Sequence, residues 1–281
     1  MSAPPPAGPD FAAAGFVGCY RHPERMTGIK CQRCGRPICG ECMRPASVGF
    51  QCPKCVTGAR VRQPRTAFGA ALRPGGGSMT KIIMVVLAVV YVLDLVTRGL
   101  LTSLLIMVND LVAIGQFWRL LTSSVLSGTL IGLLMNLLVL WIAGRAIESE
   151  LGGWRFAALY VGGGLGGSTI FFLLGPWGAG VITSGAAVVG LLAANAVGKL
   201  KTREDIRADV GLLVLLVLYS VLINFSSMGW LTLIGGIAVG ALVGYILAYA
   251  PRRNRSVIQI VGLLGVMLVC LVAVVVKMAF F

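Results

Sequence analysis

The chain has 281 residues; 57% are Ala, Val, Ile, Leu, Met, Phe, Trp, Tyr or Cys, and only 12% are charged. With 38 glycines the apolar-plus-glycine share reaches about 70%, against about 45–50% in a soluble domain. Charges this sparse cannot cover a water-facing surface, which excludes a soluble fold and a disordered chain and leaves a membrane protein. The formal net charge of +14 is skewed: residues 1–81 carry twelve Lys/Arg and three Asp/Glu, residues 82–281 twelve and seven. No basic stripe is interleaved with aromatics, so the excess reads as topology and lipid contact, with no nucleic-acid partner.

Residues 1–15 are rich in Ala, Pro and Gly and are expected to be disordered. Residues 16–57 hold seven of the eight cysteines and the single histidine, spaced Cys19-x2-His22, Cys31-x2-Cys34, Cys39-x2-Cys42 and Cys52-x2-Cys55. A two-residue spacer lets two ligands grip one ion from a tight turn, so eight ligands make two closed tetrahedral zinc sites with no position left for catalytic water. Only four residues separate Cys34 from Cys39, which disfavours consecutive sites. The expectation is a cross-brace, of B-box or RING type: Cys19, His22, Cys39 and Cys42 on one zinc, Cys31, Cys34, Cys52 and Cys55 on the other. About 45 residues bury little core, so the metal supplies the folding free energy. A disulfide framework is the alternative, disfavoured by the absence of a cleavable signal sequence and by a cytoplasmic placement. Cys270 falls in an apolar span and reads as packing.

Residues 58–80, with Arg60, Arg62, Arg65, Arg73 and a Gly-Gly-Gly run, read as a basic flexible linker suited to anionic headgroups. A bilayer needs about 20 apolar residues per helix. Seven spans are expected: residues 81–97, 120–143, 156–175, 183–199, 209–225, 230–250 and 256–276, with 98–119 a structured interfacial loop. With the N-terminus in the cytoplasm, inner loops hold nine Lys/Arg (Arg145, Arg155, Lys199, Lys201, Arg203, Arg207, Arg252, Arg253, Arg255) and outer segments three (Arg98, Arg119, Lys277). That asymmetry predicts a multi-pass cell-membrane protein with a cytoplasmic zinc module and an extracytoplasmic C-terminus. Gly236, Gly240 and Gly244 in the sixth span, and the glycines from Gly162 to Gly167 in the third, predict close helix approach.

Several residues in order then resemble the rhomboid family of intramembrane serine proteases. They are Trp118-Arg119, Met135-Asn136-Leu137, Gly144-x3-Glu148-x3-Gly152, Trp154-Arg155-Phe156, Ser184-Gly185-Ala186-x3-Gly190-Leu191-Leu192 and Gly235-Gly236-x3-Gly240. The resemblance covers residues 81–250 and implies a six-helix rhomboid bundle, with residues 251–281 adding a seventh span. It also implies a Ser–His dyad, with a histidine and an asparagine of the second span as oxyanion donors.

This chain keeps only part of that set. The base position two residues before Gly235-Gly236 is Leu233, and His22 is the only histidine. Gly132 stands where the second-span histidine is expected, while Asn136 is retained. Anchoring on Gly190 puts Gly185 at the nucleophile; sliding by one residue puts Ser184 there. Lys199 lies about 22 Å along the helix from Ser184, too far to act as base. Ser184 then reads as a small packing residue, and Leu, Gly and Val at these positions predict an apolar cavity.

The reading that follows is a pseudoprotease that binds single-span or polytopic membrane clients without cleaving them and offers its zinc module to a cytoplasmic protein. The alternatives are an active intramembrane serine endopeptidase and, from Asp94 and Asn195, a polytopic carrier or channel component.

Overall fold

The computed structural model describes residues 16–58, 66, 78–224, 228–251 and 254–280. The expected disordered N-terminus, and the linker apart from residues 58, 66 and 78–80, lie outside the described residues. The chain divides into two compact units, Met1–Gln63 and Pro64–Phe281.

In the first unit β1 (Val17–Gly18) pairs antiparallel with β2 (Met26–Thr27), and β3 (Arg44–Pro45) with β4 (Phe50–Gln51), followed by the short helix α1 (Pro53–Gly58). These elements are too short to bury a conventional core. The interior is instead Ile38 and five buried cysteines, Cys19, Cys31, Cys39, Cys42 and Cys52.

The second unit is helical. After α2 (Ser78–Val96), the connecting segment folds as α3 (Leu100–Leu105), β5 (Met107–Val108), α4 (Asn109–Ala113) and α5 (Arg119–Thr122). A long helix follows, made of α6 (Leu130–Val139), a π-helical stretch (Leu140–Gly144) and α7 (Arg145–Leu151). Then come α8 (Gly153–Leu174), β6 (Gly180–Val181), α9 (Ser184–Thr202), α10 (Arg207–Asn224), α11 (Leu231–Tyr249) and α12 (Arg255–Ala279). Seven long helices thus occupy the places of the seven expected spans. Among the described residues, α2, Leu130–Leu151, α8, α11 and α12 are long and apolar enough to cross a membrane.

One boundary differs. The second span was expected from residue 120, but the long helix begins at Leu130, because Thr129 caps it by accepting a hydrogen bond from Gly132 N. The residues before it form α5 and a 3-10 turn whose hydroxyls are occupied: Ser123 Oγ lies 2.8 Å from Thr183 Oγ1 and 3.3 Å from Ser168 Oγ. The segment before it is structured, as expected, with β5 pairing antiparallel to β6. Arg119 is buried there and donates to Ser103 O, Ile106 O and Gln116 Oε1.

The other motifs have local physical reasons. Glu148 accepts from Met79 N, Thr80 N and Thr80 Oγ1, so a buried carboxylate caps the N-terminus of α2, where the helix dipole favours negative charge. Gly144 leaves the space that Thr80 Cγ2 fills, and Gly152, at φ 82°, makes the turn from α7 to α8 that L side chains rarely adopt. Arg155 lies over the Trp154 ring and donates to Gln259 Oε1, while Gln259 Nε2 reaches Leu247 O, so α8, α11 and α12 are tied together.

Helix α9 sits centrally against α8 and α11. A β-carbon on Gly236 would strike Ala186 O, one on Gly240 would strike Gly190 O, and one on Gly244 would lie 2.6 Å from Ala194 Cα. Small residues every four positions on α11 therefore meet small residues every four positions on α9, the arrangement that lets helix backbones touch in a bilayer. Gly235 does the same against Gly166 O on α8.

Candidate functional site

Ser184 opens α9, with Thr183 at its N-cap, and is 2% exposed. Asn136 on α6 points toward it: Nδ2 donates to Ser184 Oγ at 3.1 Å. Leu233 on α11 is buried, and its Cδ2 lies 3.7 Å from where a β-carbon on Gly185 would stand. Ser184, Gly185, Asn136, Gly132 and Leu233 all line one cavity of about 280 Å³. The structure thus gathers every residue of the expected dyad-and-donor set around one space.

The contents of that space decide its chemistry. Its lining includes Ser127, Thr129, Asn136, Ser184, Tyr219, Ser220 and Thr232, with Gly, Val, Leu, Ile and Met for the rest. Among these described residues there is no histidine, lysine, arginine or carboxylate. Ser184 Oγ therefore has a donor beside it but no acceptor of its proton, whereas a serine nucleophile needs a base within hydrogen-bond reach. Leu233 belongs instead to an apolar cluster with Ala186 and Val189, flanked by Leu213, Leu216, Val217 and Ile237.

Two expectations need adjusting. The cavity is not simply apolar, because loop and α10 residues that carry no motif add hydroxyls to it. Ser184 is also more than a packing residue, since it receives the Asn136 amide. Ser127, Tyr219 and Ser220 went unnoticed in the sequence; the only signal was the run of small hydroxyl residues ahead of Thr129. The polar groups that suggested a carrier are held locally. Asp94 accepts from Thr102 N and Oγ1 at 2.7 Å each; Asn195 donates to Asp209, which also pairs with Lys199 at 2.6 Å.

In the first unit, Cys19, His22, Cys39 and Cys42 form one cluster and Cys31, Cys34, Cys52 and Cys55 another, the ligand atoms of each lying within 4.8 Å of one another. This is the cross-braced pairing, and all eight cysteines of the chain are free thiols. Tetrahedral coordination at zinc-like bond lengths implies edges of about 3.5 Å for S···N and about 3.8 Å for S···S. His22 Nδ1 lies 3.3 Å from Cys39 Sγ and 3.5 Å from Cys42 Sγ, and Cys34 Sγ lies 3.8 Å from Cys52 Sγ. Both clusters could therefore hold a metal ion.

Their electrostatics agree. Burial pushes the Cys19 and Cys31 thiols up, but backbone N–H donors outweigh it and bring each to about 6 from an ordinary value of 9.0. Burial and hydrogen bonds from Cys19 and Cys39 push Cys42 up to about 11; hydrogen bonds from Cys52 and Cys34 push Cys55 up to about 12. Thiols this close cannot all ionise without a counter-charge, which a divalent cation supplies.

Comparison with known proteins agrees with this arrangement. The family model for the Rhomboid domain matches residues 114–250. The chain is 31% identical over 164 residues to Rhomboid protease GluP of Bacillus subtilis (strain 168), covering 55% of this chain and 32% of that protein. It is 31% identical over 149 residues to RHOMBOID-like protein 5 of Arabidopsis thaliana, covering 50% of this chain and 48% of that one. It is 28% identical over 200 residues to Rhomboid protease GlpG of Salmonella paratyphi A, covering 70% and 72%. The matched segment is thus a third to a half of the first two relatives. Together with the helical architecture, these matches show that residues 114–250 of this membrane protein are a Rhomboid domain.

Proposed function

We propose that this Rhomboid-domain protein is a pseudoprotease, holding transmembrane segments of client membrane proteins at the Ser184 cavity without cleaving them. One observation carries the reading: the hydroxyl of Ser184 faces an amide donor, Asn136, and a leucine stands at the base position. General-base assistance is worth about 10²–10⁴ in rate, and nucleophile, base and oxyanion donor act as a unit. Close packing around the bundle is kept, including the Glu148 carboxylate of α7 that caps α2 and the α9–α11 seam.

The two Cys/His clusters are assigned to structural zinc. Thiolate-rich tetrahedral sets with one imidazole suit that ion, and four protein ligands leave no open position. Zinc would hold together a unit that has little other core, making it an interaction module for a cytoplasmic protein. The count of nine Lys/Arg on inner against three on outer segments supports a cytoplasmic N-terminus and an extracytoplasmic C-terminus.

A second reading, an active intramembrane endopeptidase, is favoured by the names of the relatives and by the Asn136–Ser184 contact. The two part in proteoliposomes containing a single-span substrate with a photo-crosslinker. The pseudoprotease reading expects crosslinking without cleavage; cleavage that Ser184→Ala abolishes would establish the protease.

A further inference from the structure

The cysteine-rich unit carries its excess charge on the half built around its second cluster. Around the first cluster, residues 16–29 and 37–42 hold Arg21 and Arg25 against Glu24 and Glu41, and Arg25 pairs with Glu41. Around the second, residues 30–36 and 43–58 hold Lys30, Arg33, Arg36, Arg44 and Lys54 and no carboxylate. All five of these cations are exposed. One half is therefore balanced and the other is wholly basic.

The basic half also presents apolar side chains to its surroundings. β3 and β4 close as a tight hairpin, with Ala46 N donating to Gly49 O and Gly49 at φ 64°. The turn leaves Val48 77% exposed, and Phe50 beside it is 40% exposed. The turn from Cys31 to Cys34 lies against this hairpin. Gln32 N donates to Phe50 O at 3.0 Å, and the Gln32 side chain comes within 2.9 Å of where a β-carbon on Gly49 would stand. Arg33 Nη1 reaches Cys55 O at 3.3 Å, next to Lys54, and Arg44 stands opposite Gln51 in the hairpin. The apolar tip is thus flanked by cations carried on the same ligand-bearing turns. Such a surface suits negative headgroups over hydrocarbon: the cations meet phosphate while the tip enters the acyl boundary. A protein partner would have to supply an acidic patch and an apolar pocket together, whereas a bilayer supplies both. That bilayer is also close. Residues 59–77, which join this unit to α2, add Arg60, Arg62, Arg65 and Arg73 and no carboxylate. At no more than about 3.6 Å per residue they keep the unit within about 70 Å of the start of α2, so the bilayer surface is at high effective concentration.

We infer that the half of the unit around Cys31, Cys34, Cys52 and Cys55 docks on anionic phospholipid of the bilayer that the chain spans. Val48 and Phe50 enter the headgroup boundary, and Arg33, Arg44 and Lys54 face phosphate. The other half, with its charges balanced, stays free for a cytoplasmic protein. The inference rests on the cytoplasmic placement proposed above, where anionic lipid is concentrated, and not on what the Ser184 cavity holds.

The test is amide hydrogen exchange on the whole protein in two kinds of nanodisc, phosphatidylcholine alone and phosphatidylcholine with roughly a third phosphatidylglycerol. Peptides covering residues 43–52 should exchange more slowly in the anionic discs, and peptides covering 16–29 equally in both. The protection should fade near 1 M salt, where the screening length falls to about 3 Å. Arg44→Glu should weaken it at least about fivefold, since each Lys or Arg at an anionic surface is worth about that factor. Val48→Asp should abolish it, and Arg21→Glu, on the balanced half, should leave it unchanged. Elemental analysis showing wild-type metal content in each variant excludes misfolding of the unit. Equal exchange in both discs would overturn the inference, as would protection that survives Val48→Asp at wild-type metal content or that falls on residues 16–29. Protection produced by soluble polyglutamate but not by the anionic discs would assign the face to an acidic protein and overturn it too. Both leaflets of a disc have the same composition, so this result is independent of orientation. Protease accessibility of the N-terminus in intact cells reads the orientation separately, and an external N-terminus would sink the placement while the disc result stood.

Discussion

The Nδ2 of Asn136 donates to the Oγ of Ser184 across 3.1 Å, from the flank of α6 to the start of α9. In a working site that amide would face an oxyanion while the hydroxyl handed its proton to a base. Here the amide faces the hydroxyl, and Leu233, at the position expected for the base, lines the same cavity. Installing a base therefore probes what is missing. Leu233→His is expected to raise the reactivity of Ser184 toward a fluorophosphonate about a hundredfold, the lower end of general-base assistance. The gain should vanish in the Leu233→His, Ser184→Ala double variant. An inert Leu233→His protein of normal stability would mean that more than the base is lacking.

The α9–α11 seam makes a stability prediction. Gly240→Ala forces a methyl onto Gly190 O, and overpacking of this kind costs about 1–3 kcal/mol. Gly265→Ala, on α12 with nothing within 4 Å, should be neutral or slightly stabilising, as alanine favours helix over glycine. Thermal unfolding of the two variants in the same detergent checks the contrast.

Glu148→Gln removes the charge from the cap of α2 and weakens three hydrogen bonds. Bonds to charged groups are worth about 1.5–3 kcal/mol each in favourable cases, so a loss of about 2 kcal/mol is expected. Faster amide exchange confined to the first turn of α2 would locate the effect there; unchanged exchange would contradict the capping role.

For the cysteine-rich unit, elemental analysis should find two zinc ions per chain. Cys39→Ser should lose one, Cys34→Ser the other, and Cys270→Ser neither. A strong chelator should unfold this unit and spare the helices of the second. Acid should act the same way, with a defined sign. Cys19 and Cys31 are lowered to about 6, so the stability they contribute is complete above about pH 9 and lost as pH falls through about 6. Metal release followed with a chromophoric indicator should rise between pH 7 and 5; release that increases toward alkaline pH would contradict the assignment.

Much of this architecture could be read from residue patterns because it rests on local rules. Apolar stretches of membrane length marked all seven long helices, and two-residue spacers marked the ligand pairs. The start of the second span was misplaced because leucines at 120, 121 and 126 extend the apolar run, while the stop signal, Thr129 as a cap, is a single side chain. The glycines of α11 announced a close partner but not which one; only the fold shows Ala186, Gly190 and Ala194 opposite them. The cavity was half visible. Residues carried by motifs, Asn136, Ser184 and Leu233, could be placed on it. Ser127, Tyr219 and Ser220 could not, since they reach it through a loop and a helix whose rotation no pattern specifies.

The most direct measurement is fluorophosphonate labelling of the unmodified protein in native membranes, read by mass spectrometry at the Ser184 peptide. Ser184 should stay unlabelled at probe concentrations that saturate an active serine hydrolase in the same sample. Stoichiometric modification of Ser184, lost in Ser184→Ala protein, would show that the hydroxyl finds a base after all and that the molecule is a protease.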